Sequence, residues 1–244
     1  YVFLGSSRVE NSVVSLDIEK KTGKKSLNLG FQAAKMSDIY YLLKLIDAYK
    51  IKTETIFIQI DYIFNIQDGH SNVFQHEIMP FIRENEVAKA YCDDNFSNNR
   101  LLYYAPFYRY CHFESKIGLR EATLNVLNKK TKISSNKGFV GLEGVMDNSN
   151  YNLPLTILET NEYFNKINSF IIDKNINVVY YFSPMSLKTK NTNYVSKLQQ
   201  KIPNLIDFSS VVKEDKMFKD CTHLNHEGAV FFTNIFINKL KLTK

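Results

Sequence analysis

Near its end the chain carries Asp220-Cys221-Thr222-His223-Leu224-Asn225-His226-Glu227-Gly228-Ala229, just before an apolar run of helical spacing. At its start, Tyr1-Val2-Phe3-Leu4-Gly5-Ser6-Ser7-Arg8 reads as a strand that breaks into a Gly-Ser turn. A serine hydroxyl is a weak nucleophile until a base takes its proton, and an imidazole does so best when a carboxylate orients it. Asp220 and His223 stand three apart, so both can project from one turn. With Ser7 they make the parts of a hydrolytic triad, provided the fold brings the chain's two ends together. Ser6 is the alternative nucleophile. Other roles stay open at this point. Ser7 suits a helix N-cap, Asp220 a cap of a turn or of the last helix, and His223 a structural histidine. Asp220, His223 and His226 also have ligand chemistry for a metal, but no fourth ligand is evident.

Composition narrows the classes. The 244 residues suit one large domain over 1–244 with a sizeable core, and 44% hydrophobic with 23% charged residues is ordinary for a globular chain. The net charge of +6 favours an anionic partner such as a polyanionic glycan. The lysines are scattered, with no basic–aromatic stripe, so nucleic acid is set aside as a partner. Cys92, Cys111 and Cys221 form no C-x-x-C pair, which argues against a disulfide scaffold or a zinc ribbon. No apolar run nears the roughly 18 residues of a membrane span. The chain opens at Tyr1, inside what reads as the first core strand, and we expect a signal or anchor segment upstream of it.

The elements that must position the triad follow from periodicity. Residues 1–4 are a short apolar run stopped by Gly5, as in a buried parallel strand. A helix is expected over 8–18, a basic turn over 20–25, and a second strand over 26–30. Met36, Ile39, Leu43 and Ile46 place a core-facing helix within 31–50. Residues 55–61 form a third strand. Helices are expected over 159–174, 193–202 and 226–240, and strands over 176–182 and 205–208.

Residues 66–150 break this alternation and read as a large insertion in the same domain, with a helix near 115–130. His70, His76 and His112 fall there as surface or insertion residues. So does the aromatic stretch 103–110, which reads as core more readily than as a sugar platform; Arg109 within it suits an anionic substrate.

Strands alternating with helices predict a parallel sheet covered on both faces. Right-handed crossovers put all strand C-termini on one edge, where such sheets carry function. Ser7, Gly30, Asp61 and Ser183 all sit at expected strand C-termini, and Asp220 and His223 lie on the loop after the fifth strand. The two ends of the chain therefore can meet.

On these residues the chain resembles the SGNH (GDSL-like) hydrolases. Gly5-Ser6-Ser7 looks like their first block, Gly30 like the second-block glycine, and Asp220-x-x-His223 with Leu224-Asn225 like the last. The likeness is closest to members with Gly-Ser-Ser or Gly-Thr-Ser openings, which handle acyl groups on cell-envelope polysaccharides. The resemblance implies an acyl-enzyme mechanism. Ser7 would be the nucleophile, helped by a helix N-terminus, His223 the base and then the acid, and Asp220 its orienter. The Ser7 and Gly30 N–H groups would form the oxyanion hole, with glycine keeping the substrate's approach clear. In the third block Gln59-Ile60-Asp61-Tyr62 stands where the family carries Gly-x-Asn-Asp. An ionised Asp61 would repel an oxyanion, so Asn65 or another group would have to replace that donor.

The expectation is a three-layer α/β sandwich with a parallel sheet of about five strands, flavodoxin-like, bearing the 66–150 insertion at its functional edge. The function expected is that of a serine esterase or O-acyltransferase, with acetyl the acyl group expected, acting on an acylated carbohydrate or envelope polymer outside the cytoplasm. No metal or organic cofactor is needed. The alternative is a non-catalytic module of the same fold that binds a glycan or a partner. A nucleotide-binding module is disfavoured, because no Gly-rich phosphate loop follows any strand.

Overall fold

In a computed structural model, which describes residues 1–96, 100–105, 108, 127, 135–147 and 150–242, the short apolar runs become a parallel sheet. Its strands are β1 (Val2–Gly5), β2 (Leu27–Gly30), β3 (Ile56–Gln59), β5 (Val178–Phe182) and β7 (Ile206–Asp207). A small separate pair, β4 (Tyr151–Asn152) and β6 (Thr189–Lys190), completes the strand set among the described residues. The sheet order is β2-β1-β3-β5-β7 with every pairing parallel, which is the flavodoxin-like order. The chain winds outward to β2 and then returns to β3, so the crevice at this switch point lies between the C-terminal ends of β1 and β3.

The helices are α1 (Ser7–Glu10), α2 (Ser15–Thr22), α3 (Met36–Ala48), α4 (Asn72–Ile78), α5 (Glu86–Asn95), α6 (Arg100–Tyr104), α7 (Glu162–Lys174), α8 (Asn193–Lys201) and α9 (His226–Lys239). Strand side chains alternate between two cores. Val2, Leu4, Ile56, Ile58 and Phe182 pack towards α3, α7 and α8. Phe3, Phe57 and Tyr181 pack towards α2 and α9. That second core is a chain of rings. Phe3 stacks on Phe57 at 4.8 Å, Phe57 meets Phe236 edge-on at 5.2 Å, and Phe236 stacks on Phe208 at 5.2 Å. Each such ring contributes about 1.5–3 kcal/mol by leaving water. Phe236 therefore seats α9 against the strand that begins the chain, while Ala229 packs on Val14 and Phe139.

Two helices differ from the sequence expectation. The helix expected over 8–18 breaks after one turn and resumes at Ser15. At the break, the Ser12 hydroxyl donates to the Arg8 carbonyl, a local bond that competes with helix continuation. The second piece then runs through Lys20 and Lys21, where a basic turn was expected. It ends at Gly23, whose φ of 71° suits only glycine well. The helix expected from residue 31 starts instead at Met36. Ala33 takes a left-handed φ of 57°, and Asp38 Oδ2 accepts the Lys35 N–H at 2.9 Å to cap the true start.

Residues 72–104 of the 66–150 segment are largely helical where described and build their own apolar cluster. Phe74, Ile78, Ala88, Tyr91 and Leu102 gather against Phe31, Ala34 and Tyr41 of the sheet domain. His70 is not a surface residue. Its side chain is 5% exposed, and Nδ1 lies 2.8 Å from Asp38 Oδ1, a fully buried carboxylate that draws it in. His76 lies on α4. In the aromatic stretch Tyr104 is 81% exposed and not core. Arg109, Tyr110, His112 and, apart from residue 127, the helix expected near 115–130 lie outside the described residues. Among the described residues no helix is long and apolar enough to cross a membrane.

Candidate active site

The turn that carries Ser7 begins at Gly5. Its φ is 154°, and a Cβ there would stand 2.5 Å from Val9 Cγ2 and 2.8 Å from Gln59 Oε1, so only glycine lets the strand turn here. Ser6 follows, buried, and takes the capping role that Ser7 could have filled. Its Oγ accepts the Arg8 N–H at 3.3 Å and lies 3.2 Å from Gln59 Oε1. Ser7 is thereby turned outward as the first residue of α1, half-buried, with Oγ 2.8 Å from His223 Nε2.

His223 comes from a tight turn held by its own backbone. Lys219 N–H donates to the His223 carbonyl at 2.9 Å, Asn225 N–H donates to Met217 O at 3.0 Å, and Phe218 bridges Leu224 antiparallel. Asn225 caps α9 by accepting the Gly228 N–H at 3.0 Å, and its amide donates to Gly144 O and Lys216 O. Gly228 must lack a side chain, since a Cβ would fall 2.0 Å from Met217 O. Within the turn Asp220 Oδ1 accepts the backbone N–H groups of Thr222 at 2.7 Å and His223 at 2.9 Å. Its Oδ2 lies 2.9 Å from His223 Nδ1. A carboxylate only accepts, so Nδ1 carries the proton and Nε2 is free to accept from Ser7. Burial works against the charge on Asp220. The hydrogen bonds from His223 and Thr222 outweigh it and hold the carboxyl well below the usual range. Ser7, His223 and Asp220 are thus joined in one hydrogen-bonded line.

Arg8 is the residue that the sequence reading passed over. Its side chain is 1% exposed, yet every arm has a partner. Nη1 donates to Asp61 Oδ2 at 2.7 Å, Nη2 to the carbonyls of Ser183 and Pro184 at 2.7 Å each, and Nε to Thr222 O at 3.1 Å. The guanidinium also lies over the Phe182 ring at 5.1 Å. One side chain therefore ties together the ends of β1, β3 and β5 and the turn that carries His223. Asp61 is the counter-ion of Arg8. It also accepts from Gln59 Nε2 at 2.8 Å and from Ile63 N–H at 2.9 Å. Its charge is spent inside the scaffold, not directed at a substrate oxygen. An Arg beside Ser7 and an Asp ending the neighbouring strand were a readable signal, since both fall on one sheet edge.

The oxyanion donors are placed as follows. Among the described residues no acceptor pairs with the Ser7 N–H. The Gly30 N–H donates to Asn28 Oδ1 at 2.9 Å. Glycine at position 30 answers to packing: a Cβ would lie 2.5 Å from Glu10 N and 2.6 Å from Val9 Cβ. Asn65 is engaged elsewhere, donating to Thr156 O at 2.7 Å and accepting from Leu158 N–H at 3.1 Å. Gln59 is held between Ser6 and Asp61. His226 packs against Phe139, and a Cβ on Gly141 would stand 2.6 Å from its Nδ1. Among the described residues no group of three His, Cys, Asp or Glu side chains is placed to hold a metal ion.

Glu10, one turn after Ser7 on α1, is a further group unanticipated from sequence. Its Oε2 is buried without a hydrogen-bond partner among the described residues. Burial, with repulsion from Glu77 and against the pull of His223, pushes its carboxyl up to about 7.

No protein-family model matches this chain, and no curated protein matches it.

Proposed function

We propose that the chain is a serine esterase or O-acyltransferase working through an acyl-serine intermediate. The observation that supports it is the unbroken line from Ser7 Oγ to His223 Nε2 at 2.8 Å and from His223 Nδ1 to Asp220 Oδ2 at 2.9 Å. In this reading Ser7 Oγ attacks the ester carbonyl carbon as its proton passes to His223 Nε2. Asp220 stabilises the imidazolium, and the Ser7 N–H faces the developing oxyanion. The tetrahedral adduct collapses by breaking the bond to the alcohol oxygen, which takes the proton from His223. Water or a sugar hydroxyl then attacks the acyl-serine, with His223 as base, and Ser7 is restored. The substrate class (an acylated carbohydrate or cell-envelope polymer, with acetyl as the acyl group) and an extracytoplasmic location rest on the resemblance carried by Gly5-Ser6-Ser7 and Asp220-x-x-His223.

Hydrolysis of an activated acetyl ester tests the proposal. The purified chain should turn it over, and Ser7→Ala and His223→Ala should each lose at least about 10³-fold. A second reading, a non-catalytic binding module, is favoured by one feature: the Gly30 N–H is already occupied and, among the described residues, Gln59 and Asn65 are engaged elsewhere and do not replace the usual third-block donor. A folded protein with no turnover would favour that reading.

A further inference from the structure

A cavity of about 950 Å³ runs along the outer edge of the sheet. Ser7, His223 and Asp220 do not line it, but one end lies beside them. Glu10 lines it and lies one helical turn beyond Ser7; Gly30 lines it too and pairs in register with Gly5. The cavity then follows the whole of β2, about 10 Å at the rise of a strand. Its walls are apolar: Leu27 and Leu29 from β2, Leu42 and Leu45 from α3, Val73 and Phe74 from α4. At the far end Tyr49, Ile51 and Phe81 line it while 50%, 49% and 43% exposed, with the Tyr49 and Phe81 rings edge-on at 6.5 Å.

Exposed large apolar side chains gathered in one groove mark a ligand surface, since a soluble chain otherwise keeps such patches small. The charged groups on the wall include the Glu19–Lys137 ion pair, which sits beside Ser26 and Asn28. Glu10 and Glu77 lie on the side of α1 and α4, Lys25 and Lys52 near the strand N-termini. The occupant that fits is therefore a long apolar chain, anchored by a polar group near Ser7. Against Leu42, Leu45, Val73 and Phe74 a sugar would leave its hydroxyls unpaired, at a cost of roughly 1–3 kcal/mol for each unsatisfied group.

We propose that this cavity holds the acyl chain of the ester that acylates Ser7, so that the substrates include esters of medium-length aliphatic acids as well as acetyl esters. The proposal rests on the acyl-serine reading above. Glu10 stands where the chain enters, and its raised pKa keeps much of it uncharged near neutral pH, which suits passage of an apolar group.

The test separates pocket from triad. Octanoate is titrated into folded Ser7→Ala protein, where catalysis plays no part. Saturable binding is expected, together with a raised Tm, and both should be lost in the Ser7→Ala protein that also carries Leu45→Trp or Val73→Trp. Either tryptophan fills the groove from a half-buried position, so two independent variants guard against misfolding. In the active chain, the ratio of kcat/KM for octanoyl over acetyl esters should fall at least about tenfold with either substitution, equivalent to about 1.4 kcal/mol. Absent octanoate binding, or binding that both tryptophans leave intact, would overturn the pocket while leaving the triad standing. Octanoate binding without any serine adduct in the wild-type chain would instead remove the acyl-serine reading and the acyl assignment with it.

Discussion

Arg8 and Asp61 form a buried ion pair at 2.7 Å, with side chains 1% and 0% exposed. A pair this deep persists because its remaining hydrogen bonds are also met, and Arg8 meets them on Ser183, Pro184 and Thr222. It therefore fixes the distance between α1, which begins at Ser7, and the turn that carries His223. Asp61→Ala leaves the guanidinium unpaired in the interior. It should cost about 3–5 kcal/mol in urea unfolding. Arg8→Lys keeps the charge but loses the fork, so it should lower kcat more than it raises KM. Equal effects on both parameters would speak against a positioning role.

Ser6 and Ser7 are adjacent but do different work. Ser6→Ala removes a cap and a bond to Gln59, so about 0.5–2 kcal/mol of stability should go while the serine adduct remains. Ser7→Ala should leave Tm nearly unchanged and abolish turnover. Thermal melts beside an esterase assay check both.

Much of this was legible in the sequence. Short apolar runs stopped by glycine located the strands, because strands buried on both faces need no polar alternation. The meeting of Ser7, His223 and Asp220 was legible because they sit just after a strand and on a loop before a helix, positions set by topology. The Arg8–Asp61 pair was not recovered, although both residues were in view. Asp61 was read against a family's expected donor, and pairing across strands depends on a register that one sequence does not print. Gly30 was read as clearing the substrate's path, whereas it makes room for α1, a contact between elements 20 residues apart. His70 reads as polar surface until Asp38 is seen to be buried.

Glu10 gives the fold a pH dependence. Its carboxyl rises from an ordinary 4.5 to about 7. Below about 4.5 the folded and unfolded chains both hold the proton. Between about 4.5 and 7 only the folded chain does, so stability falls as pH rises through that window and levels above it. Glu10→Gln removes the effect. Its stability relative to wild type should grow by about 1–2 kcal/mol from pH 4.5 to pH 7, allowing for the partial solvent exposure of the group. Urea midpoints across that range read it, and parallel profiles for the two proteins would contradict it.

Asp220 acts in the opposite sense. Its carboxyl is held below its ordinary 3.8 by bonds from His223 and Thr222 that outweigh its burial. Its contribution is present above about pH 4 and is lost as pH falls towards the lowered value. Asp220→Asn should be less stable than wild type at neutral pH, with the gap closing in acid. It should also lose about 10³–10⁴-fold in kcat, because the amide can leave the imidazole in the wrong tautomer.

The central claim is that Ser7 is a nucleophile activated by His223. Intact mass after treatment with a serine-reactive phosphonate tests it most directly, on the wild-type chain beside Ser7→Ala, Ser6→Ala and His223→Ala. The account predicts one adduct on wild type and on Ser6→Ala, none on Ser7→Ala, and much slower labelling of His223→Ala. A folded wild-type chain that takes no adduct, or one whose adduct survives in Ser7→Ala, would contradict it.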